Sequence, residues 1–172
     1  MDFAQYIRDV PNWPQEGVMF KEITPLLASA EALKATIDTL ADAYQGMGVT
    51  KVMGAEARGF IFGAALAYRL GAGFIPARKP GKLPWDTASV TYDLEYGTDT
   101  LEMHADALGP DDVVLIVDDV LATGGTAGAK ASLVIDHGAA LAGFAFLIEL
   151  DFLKGRERLP VGSKVVSLVH VS

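Results

Sequence analysis

The 172-residue sequence contains no cysteine, which excludes disulfides and thiolate metal sites. It also lacks any uninterrupted apolar run near the ~20 residues a membrane helix needs, although 51% of it is hydrophobic. No membrane association is expected. Met1 to Asp9 show neither a basic stretch nor an apolar core of the secretory type, so no signal peptide and a cytoplasmic location are expected. Positive charge is scarce, with 14 Lys+Arg against 22 Asp+Glu for a net charge of −8. That balance argues against a nucleic-acid partner contacted over the whole surface. Repeats, low-complexity tracts and linkers are missing too, so one domain over residues 1–172 is expected, long enough to bury about 70% of its unfolded surface.

What charge there is lies in blocks. Lys51 to Lys82 hold six basic residues (Lys51, Arg58, Arg69, Arg78, Lys79, Lys82) and one acid, Glu56. Leu83 to Asp119 hold ten acids and no Lys or Arg. Such runs are ordinarily solvated faces. The other reading is that cations meet an anionic ligand while acids hold its metal or its hydroxyls.

Leu33, Ile37, Leu40 and Tyr44 recur at helical spacing, which predicts a helix over Ala30–Gln45 with Ser29 as N-cap. Val49–Gly54, Gly59–Leu70 and Phe74–Arg78 then read as strand, helix and strand. Val113–Val117 is a continuous β-branched and aliphatic run suited to a strand buried on both faces. A helix over Ala127–His137, a strand over Gly143–Leu150 and a last strand over Lys164–Val171 follow. The alternation predicts an α/β domain, doubly wound, with a mainly parallel sheet and flanking helices. One segment breaks the rhythm: Val90, Tyr92 and Leu94, then Leu101 and Met103, alternate with polar residues around a turn at Tyr96–Asp99. Residues 79–104 therefore read as an exposed hairpin standing off the sheet, a candidate flexible lid.

The chemistry concentrates in Val113–Thr126, where a buried strand ends in Asp118 and Asp119 and Ala122-Thr123-Gly124-Gly125-Thr126 opens a helix. Ligands of open α/β sheets bind beyond the carboxyl ends of strands. Glycines admit close backbone approach, and a helix N-terminus supplies free N–H groups and a positive dipole end, so a phosphate fits there. No Gly-Lys-Ser/Thr or Gly-x-Gly-x-x-Gly pattern is present in the loop, so it is neither a Walker A loop nor a dinucleotide fingerprint. Side chains of adjacent strand residues diverge, so the two acids need not share an ion. They can accept hydrogen bonds from vicinal sugar hydroxyls. The plain alternative is an ordinary strand-to-helix turn with surface acids.

Asp118-Asp119-Val120-Leu121-Ala122-Thr123-Gly124-Gly125-Thr126 after a hydrophobic strand resembles the phosphoribosyl-pyrophosphate signature of type I phosphoribosyltransferases. Gly17–Leu27, Glu56–Gly63, Arg78–Pro84 and Tyr92–Gly97 are similar to further blocks of the adenine phosphoribosyltransferase family, so the resemblance runs from about Ile7 to Leu159. It implies transfer of phosphoribosyl from phosphoribosyl pyrophosphate to N9 of adenine, giving AMP and pyrophosphate, with Mg²⁺ held through substrate and water and no direct protein ligand. It also implies a homodimer and an N-terminal hood, residues 1–28, that recognises the base.

By the same resemblance, Ala122–Thr126 would cradle the 5-phosphate and Asp118 and Asp119 would face the ribose. Arg58 would neutralise pyrophosphate, assisted by Arg78, Lys79 and Lys82, in part across a dimer interface. Glu95, with Arg58, is the catalytic candidate, and Tyr96 closes over the centre beside it. Phe20 and Val120 would sandwich adenine, and backbone groups near Phe20 and Lys21 would select it. Other readings pair Arg58 with Glu56 at a helix start and leave Lys79 and Lys82 solvated. Transfer to a 6-oxopurine, or a non-catalytic sensor of phosphoribosyl pyrophosphate, are the competing functions. The scattered His104, His137 and His170 lack ligand spacing.

Overall fold

A computed structural model describes residues 1–94 and 97–172. Two short strands, β1 (Arg8–Pro11) and β2 (Met19–Glu22), pair antiparallel before α1 (Thr24–Ala28) and α2 (Ala30–Tyr44). Then come β3 (Lys51–Ala55), α3 (Arg58–Leu70), β4 (Gly73–Ala77) and a hairpin of β5 (Thr87–Asp93) and β6 (Thr98–His104). The chain finishes with β7 (Val113–Leu121), α4 (Gly125–Asp136), β8 (Ala140–Leu150) and β9 (Val165–Val171). The central sheet has the order β4-β3-β7-β8-β9, and every neighbour in it is parallel.

Ser29 caps α2 as its residue type predicts, its hydroxyl accepting from Ala32 N at 3.2 Å, and the helix buries Ile37, Leu40 and Tyr44. This face and α3 cover one side of the sheet with Val52, Leu115 and Val117. On the other side α4 and the hairpin enclose Met53, Val114, Ile116 and Phe144. The helices therefore flank both faces, as a doubly wound domain requires.

The hairpin departs from expectation. Leu101 and Met103 are fully buried in the second core, and Arg78 exchanges backbone hydrogen bonds with Glu102 at 2.8 and 2.7 Å. It is docked on the sheet, because the apolar face of its two-residue alternation finds α4 and β4 to cover it. Pairing also runs to Asp93 opposite Thr98, so Thr98 and Asp99 belong to β6 and not to the turn.

Strand order reverses between β3 and β7: the chain leaves β3 toward one edge and β7 toward the other. This is the topological switch point, where the loops after adjacent strands diverge and leave a crevice. Both loops singled out in the sequence emerge there.

Candidate active site

Strand β7 runs further than its apolar core predicts, through both acids to Leu121. Val114 to Val117 are completely buried, and at about 1.5–3 kcal/mol for each such side chain they hold the strand end firmly. After it the chain turns at Gly124, whose φ of +83° suits glycine, and α4 begins. Ala122 to Thr126 line a pocket of about 70 Å³ with Asp118 and Phe146. That is room for about five waters at ~10–15 Å³ each, the scale of one phosphoryl group. The first-turn N–H groups of α4 face no intrahelical acceptor, as at every helix start.

A turn far along the chain buttresses this loop. A Cβ on Gly124 would lie 2.2 Å from Gly155 O, and one on Gly155 would lie 2.3 Å from Ala122 O. Arg156 holds that turn by forking onto buried Glu149 at 2.6 and 2.7 Å, and Ser167 Oγ donates to the same carboxylate at 2.6 Å. Burial pushes the Glu149 carboxyl up, but the Arg156 and Ser167 hydrogen bonds outweigh it and leave it below the ordinary range.

The two acids do diverge. Asp118 Oδ2 accepts from Lys130 Nζ at 2.7 Å. Asp119 is buried, with Oδ2 2.8 Å from Arg58 Nε but outside hydrogen-bond geometry, so that oxygen has no donor among the described residues. Burial first, then the neighbouring Asp118 charge, push the Asp119 carboxyl up to about 6 against the pull of Arg58.

Arg58 starts α3 in the second loop, Glu56-Ala57-Arg58-Gly59. Helix α3 can sit this close because a Cβ on Gly54 would lie 2.5 Å from Gly59 O, and one on Gly59 would lie 2.7 Å from Asp118 Oδ1. Arg58 does not pair with Glu56 in a local helix-start contact. Glu56 instead receives Lys82 Nζ at 2.6 Å, Lys79 N at 2.8 Å and Arg78 Nε at 3.3 Å. The Lys82 hydrogen bond is the main reason its carboxyl lies below the ordinary range. Lys79 Nζ pairs with Asp99. Each of the four cations thus stands against a carboxylate, and neither lysine is merely solvated. Tyr92 of the hairpin reaches Thr126 Oγ1 at 3.3 Å, bridging toward the phosphate-sized pocket.

Phe20 stands beside Arg58, whose guanidinium lies 5.1 Å from the ring centroid, with Trp13 tilted against it at 4.3 Å. Val120 is half-buried against the first core. The Lys21 side chain is not brought to these groups: its Nζ lies 2.6 Å from Asp9, along β1. Glu95 and Tyr96 lie outside the described residues.

Sequence reading passed over Lys130, Glu149, Gly155, Tyr92 and Asp99. Two carried a signal: Lys130 is a lone charge within Ala127–Val134, and Glu149 interrupts the apolar run of β8.

The described residues contain no helix long and apolar enough to cross a membrane. A family model described as a phosphoribosyl transferase domain matches residues 21–171. The adenine phosphoribosyltransferase of Solidesulfovibrio magneticus is 56% identical over 159 residues, covering 92% of this chain and 93% of that one. That of Maridesulfovibrio salexigens is 52% identical over 171 residues, covering 99% and 100%. Among solved structures, adenine phosphoribosyltransferase from Thermoanaerobacter pseudethanolicus superposes with a TM-score of 0.94 at 50% identity, covering 98% of each chain. The Saccharomyces cerevisiae enzyme, complexed with an imino-altritol bisphosphate and adenine, gives 0.90 at 39% identity over 96% of each chain.

Proposed function

The chain belongs to the adenine phosphoribosyltransferase family, and from that premise we propose how its residues carry out phosphoribosyl transfer to N9 of adenine in purine salvage. The observation that carries the proposal is the contact of Arg58, which opens α3 just after β3, with Asp119, near the carboxyl end of β7. A cation from the one and a carboxylate from the other thus meet across the switch point.

The 5-phosphate of phosphoribosyl pyrophosphate sits on Ala122–Thr126, held by N–H groups and by the Thr123 and Thr126 hydroxyls. Ribose hydroxyls donate to Asp118 and Asp119, and the donorless oxygen of Asp119 supports this. Pyrophosphate takes Arg58, Arg78, Lys79 and Lys82 from their resident carboxylates, which exchanges internal ion pairs for substrate ones. As the C1–O bond to pyrophosphate breaks, positive charge develops on the sugar as in glycoside cleavage, and Arg58 stabilises the charge left on the departing group. Adenine N9 forms the new bond to C1 from the opposite face, between Phe20 and Val120, and gives up its proton. Glu95 assists that proton movement, and Tyr96 with the docked hairpin of residues 79–104 shields the centre from water.

The donor set fits Mg²⁺ carried by substrate and water. Among the described residues, Asp118 and Asp119 are the carboxylates at the carboxyl end of β7, and Asp118 holds Lys130. The one group of three potential ligands among the described residues is Glu149, Asp151 and His170, where Glu149 is already forked onto Arg156. Carried on the diphosphate, such an ion would supply neutralisation of the charge on the leaving group, beside Arg58.

A homodimer is part of the same reading. Exposed Ile61, Ala64 and Tyr68 form an apolar stripe along α3, the helix that begins with Arg58, and Tyr68 is 91% exposed. A cytoplasmic location agrees with the cysteine-free sequence. The test supplies phosphoribosyl pyrophosphate and Mg²⁺ with adenine, hypoxanthine, guanine or xanthine in turn. AMP from adenine alone is expected; turnover of a 6-oxopurine in preference to adenine would redirect the assignment.

A further inference from the structure

Lys130 is the only charged residue on the buried face of α4, whose other members there are Ala127, Ala129, Ala131, Leu133 and Val134. Its side chain is 0% exposed. A buried ammonium forfeits its hydration and persists only where fixed acceptors replace the water. Here these are Asp118 Oδ2 at 2.7 Å and Val117 O at 3.1 Å. An apolar side chain of similar length would fill the same space without that cost, so core packing does not account for the charge.

Asp118 is consequently held from three directions. Lys130 takes Oδ2, the Asp119 N–H donates to Oδ1 at 3.2 Å, and the backbone of Gly59 closes against the carboxylate. Asp119, by contrast, has Arg58 and the like-charged Asp118 beside it and, among the described residues, an oxygen without a donor. The pair is thus asymmetric: one carboxylate is anchored from beneath, while the other keeps a buried oxygen without a donor among the described residues.

We infer that Lys130 is a positioning residue for the phosphoribosyl substrate, fixing Asp118 from below so that the acid pair meets the ribose hydroxyls in one orientation. The inference rests on the assignment of Asp118 and Asp119 to the ribose. It assigns Lys130 no contact with substrate; it acts through Asp118. Loss of its charge frees Asp118 to turn within a site it shares with a like-charged neighbour, and sugar recognition suffers while the base pocket, built on Phe20 and Val120, does not.

The experiment compares wild type, Lys130→Met and Lys130→Gln in steady-state AMP formation, with the concentrations of phosphoribosyl pyrophosphate and adenine varied separately. Removing the outer-shell partner that orients a metal ligand costs about 10–100-fold, and the lower end of that range is the scale taken for Asp118. For Lys130→Met the Michaelis constant for phosphoribosyl pyrophosphate is expected to rise about tenfold, equivalent to about 1.4 kcal/mol. That for adenine should stay within about twofold. Lys130→Gln keeps a donor for Asp118 and should recover part of the loss. If Met is insoluble, Gln carries the test with a smaller rise confined to the same substrate. A packing role alone would lower the melting temperature and the active fraction and leave both Michaelis constants in place, and that result overturns the inference. An active wild type with unchanged variants refutes only the role of Lys130; a wild type that makes no AMP refutes the site assignment beneath it.

Discussion

Replacing Asp119 by Asn should stabilise the free protein and abolish its use of phosphoribosyl pyrophosphate. The Asp119 carboxyl is raised from its ordinary value of 3.8 to about 6, chiefly by burial and then by Asp118, while Arg58 pulls the other way. A folded value above the unfolded one means the native state binds the proton more tightly. Its contribution to stability is complete below pH 3.8 and is lost as pH rises through about 6. At 1.36 kcal/mol per tenfold of proton affinity, the loss by pH 7.5 is about 3 kcal/mol. The completely buried Val114–Val117 run outweighs it, at roughly 6–12 kcal/mol. Asn carries no charge to desolvate, and Arg58, 41% exposed at its side chain, returns to water at little cost. At about 2–4 °C per kcal/mol for a domain of this size, Asp119→Asn should melt roughly 6–12 °C higher at pH 7.5, with the difference vanishing near pH 4. Urea or thermal unfolding of both proteins from pH 4 to 8, beside kcat/KM for phosphoribosyl pyrophosphate, measures this. A stability difference independent of pH would refute the reasoning.

Three further outcomes follow from the same geometry. Arg58→Ala should raise the Michaelis constant for phosphoribosyl pyrophosphate and lower kcat about 10²–10³-fold, the usual cost of removing one stabiliser of developing negative charge; unchanged steady-state constants would remove Arg58 from the site. Gly155→Ala places a methyl 2.3 Å from Ala122 O, so the phosphate loop must shift; phosphoribosyl pyrophosphate should bind more weakly with adenine affinity kept, as steady-state kinetics will show. Tyr68→Arg puts charge on the apolar stripe of α3 and should shift a dimer toward monomer in light scattering, whereas an unaltered mass would place the interface elsewhere.

The fold was legible where one residue pattern has one structural outcome. The β-branched run at Val113–Val117 could only be a strand covered on both faces, and Ser29 before Leu33, Ile37 and Leu40 could only open a helix facing the core. What covers an apolar face is not written in its own segment. The alternation in the hairpin showed that Leu101 and Met103 share a side, but the cover comes from α4, which follows them in the chain. Partners separated far along the chain were hidden for the same reason. Arg58 has Glu56 two residues away yet reaches Asp119, because α3 approaches β7 through Gly59. Lys21 was singled out with Phe20 for its backbone, and the position of its ammonium against Asp9, across the β1–β2 pair, could not be read from its own segment. Lys130 was overlooked because a lysine on a helix is ordinarily solvated; only the position of Asp118 above it makes burial tolerable.

The central claim is that the acid pair near the carboxyl end of β7 holds the ribose and the Ala122–Thr126 loop after it holds the 5-phosphate, and a crystal structure of the AMP complex tests it most directly. The account predicts the phosphate against the N–H groups of Thr123–Thr126, the ribose hydroxyls on Asp118 and Asp119, and the purine beside Phe20. A phosphate bound instead on Arg58 and Arg78, with the Ala122–Thr126 loop bare, would contradict it.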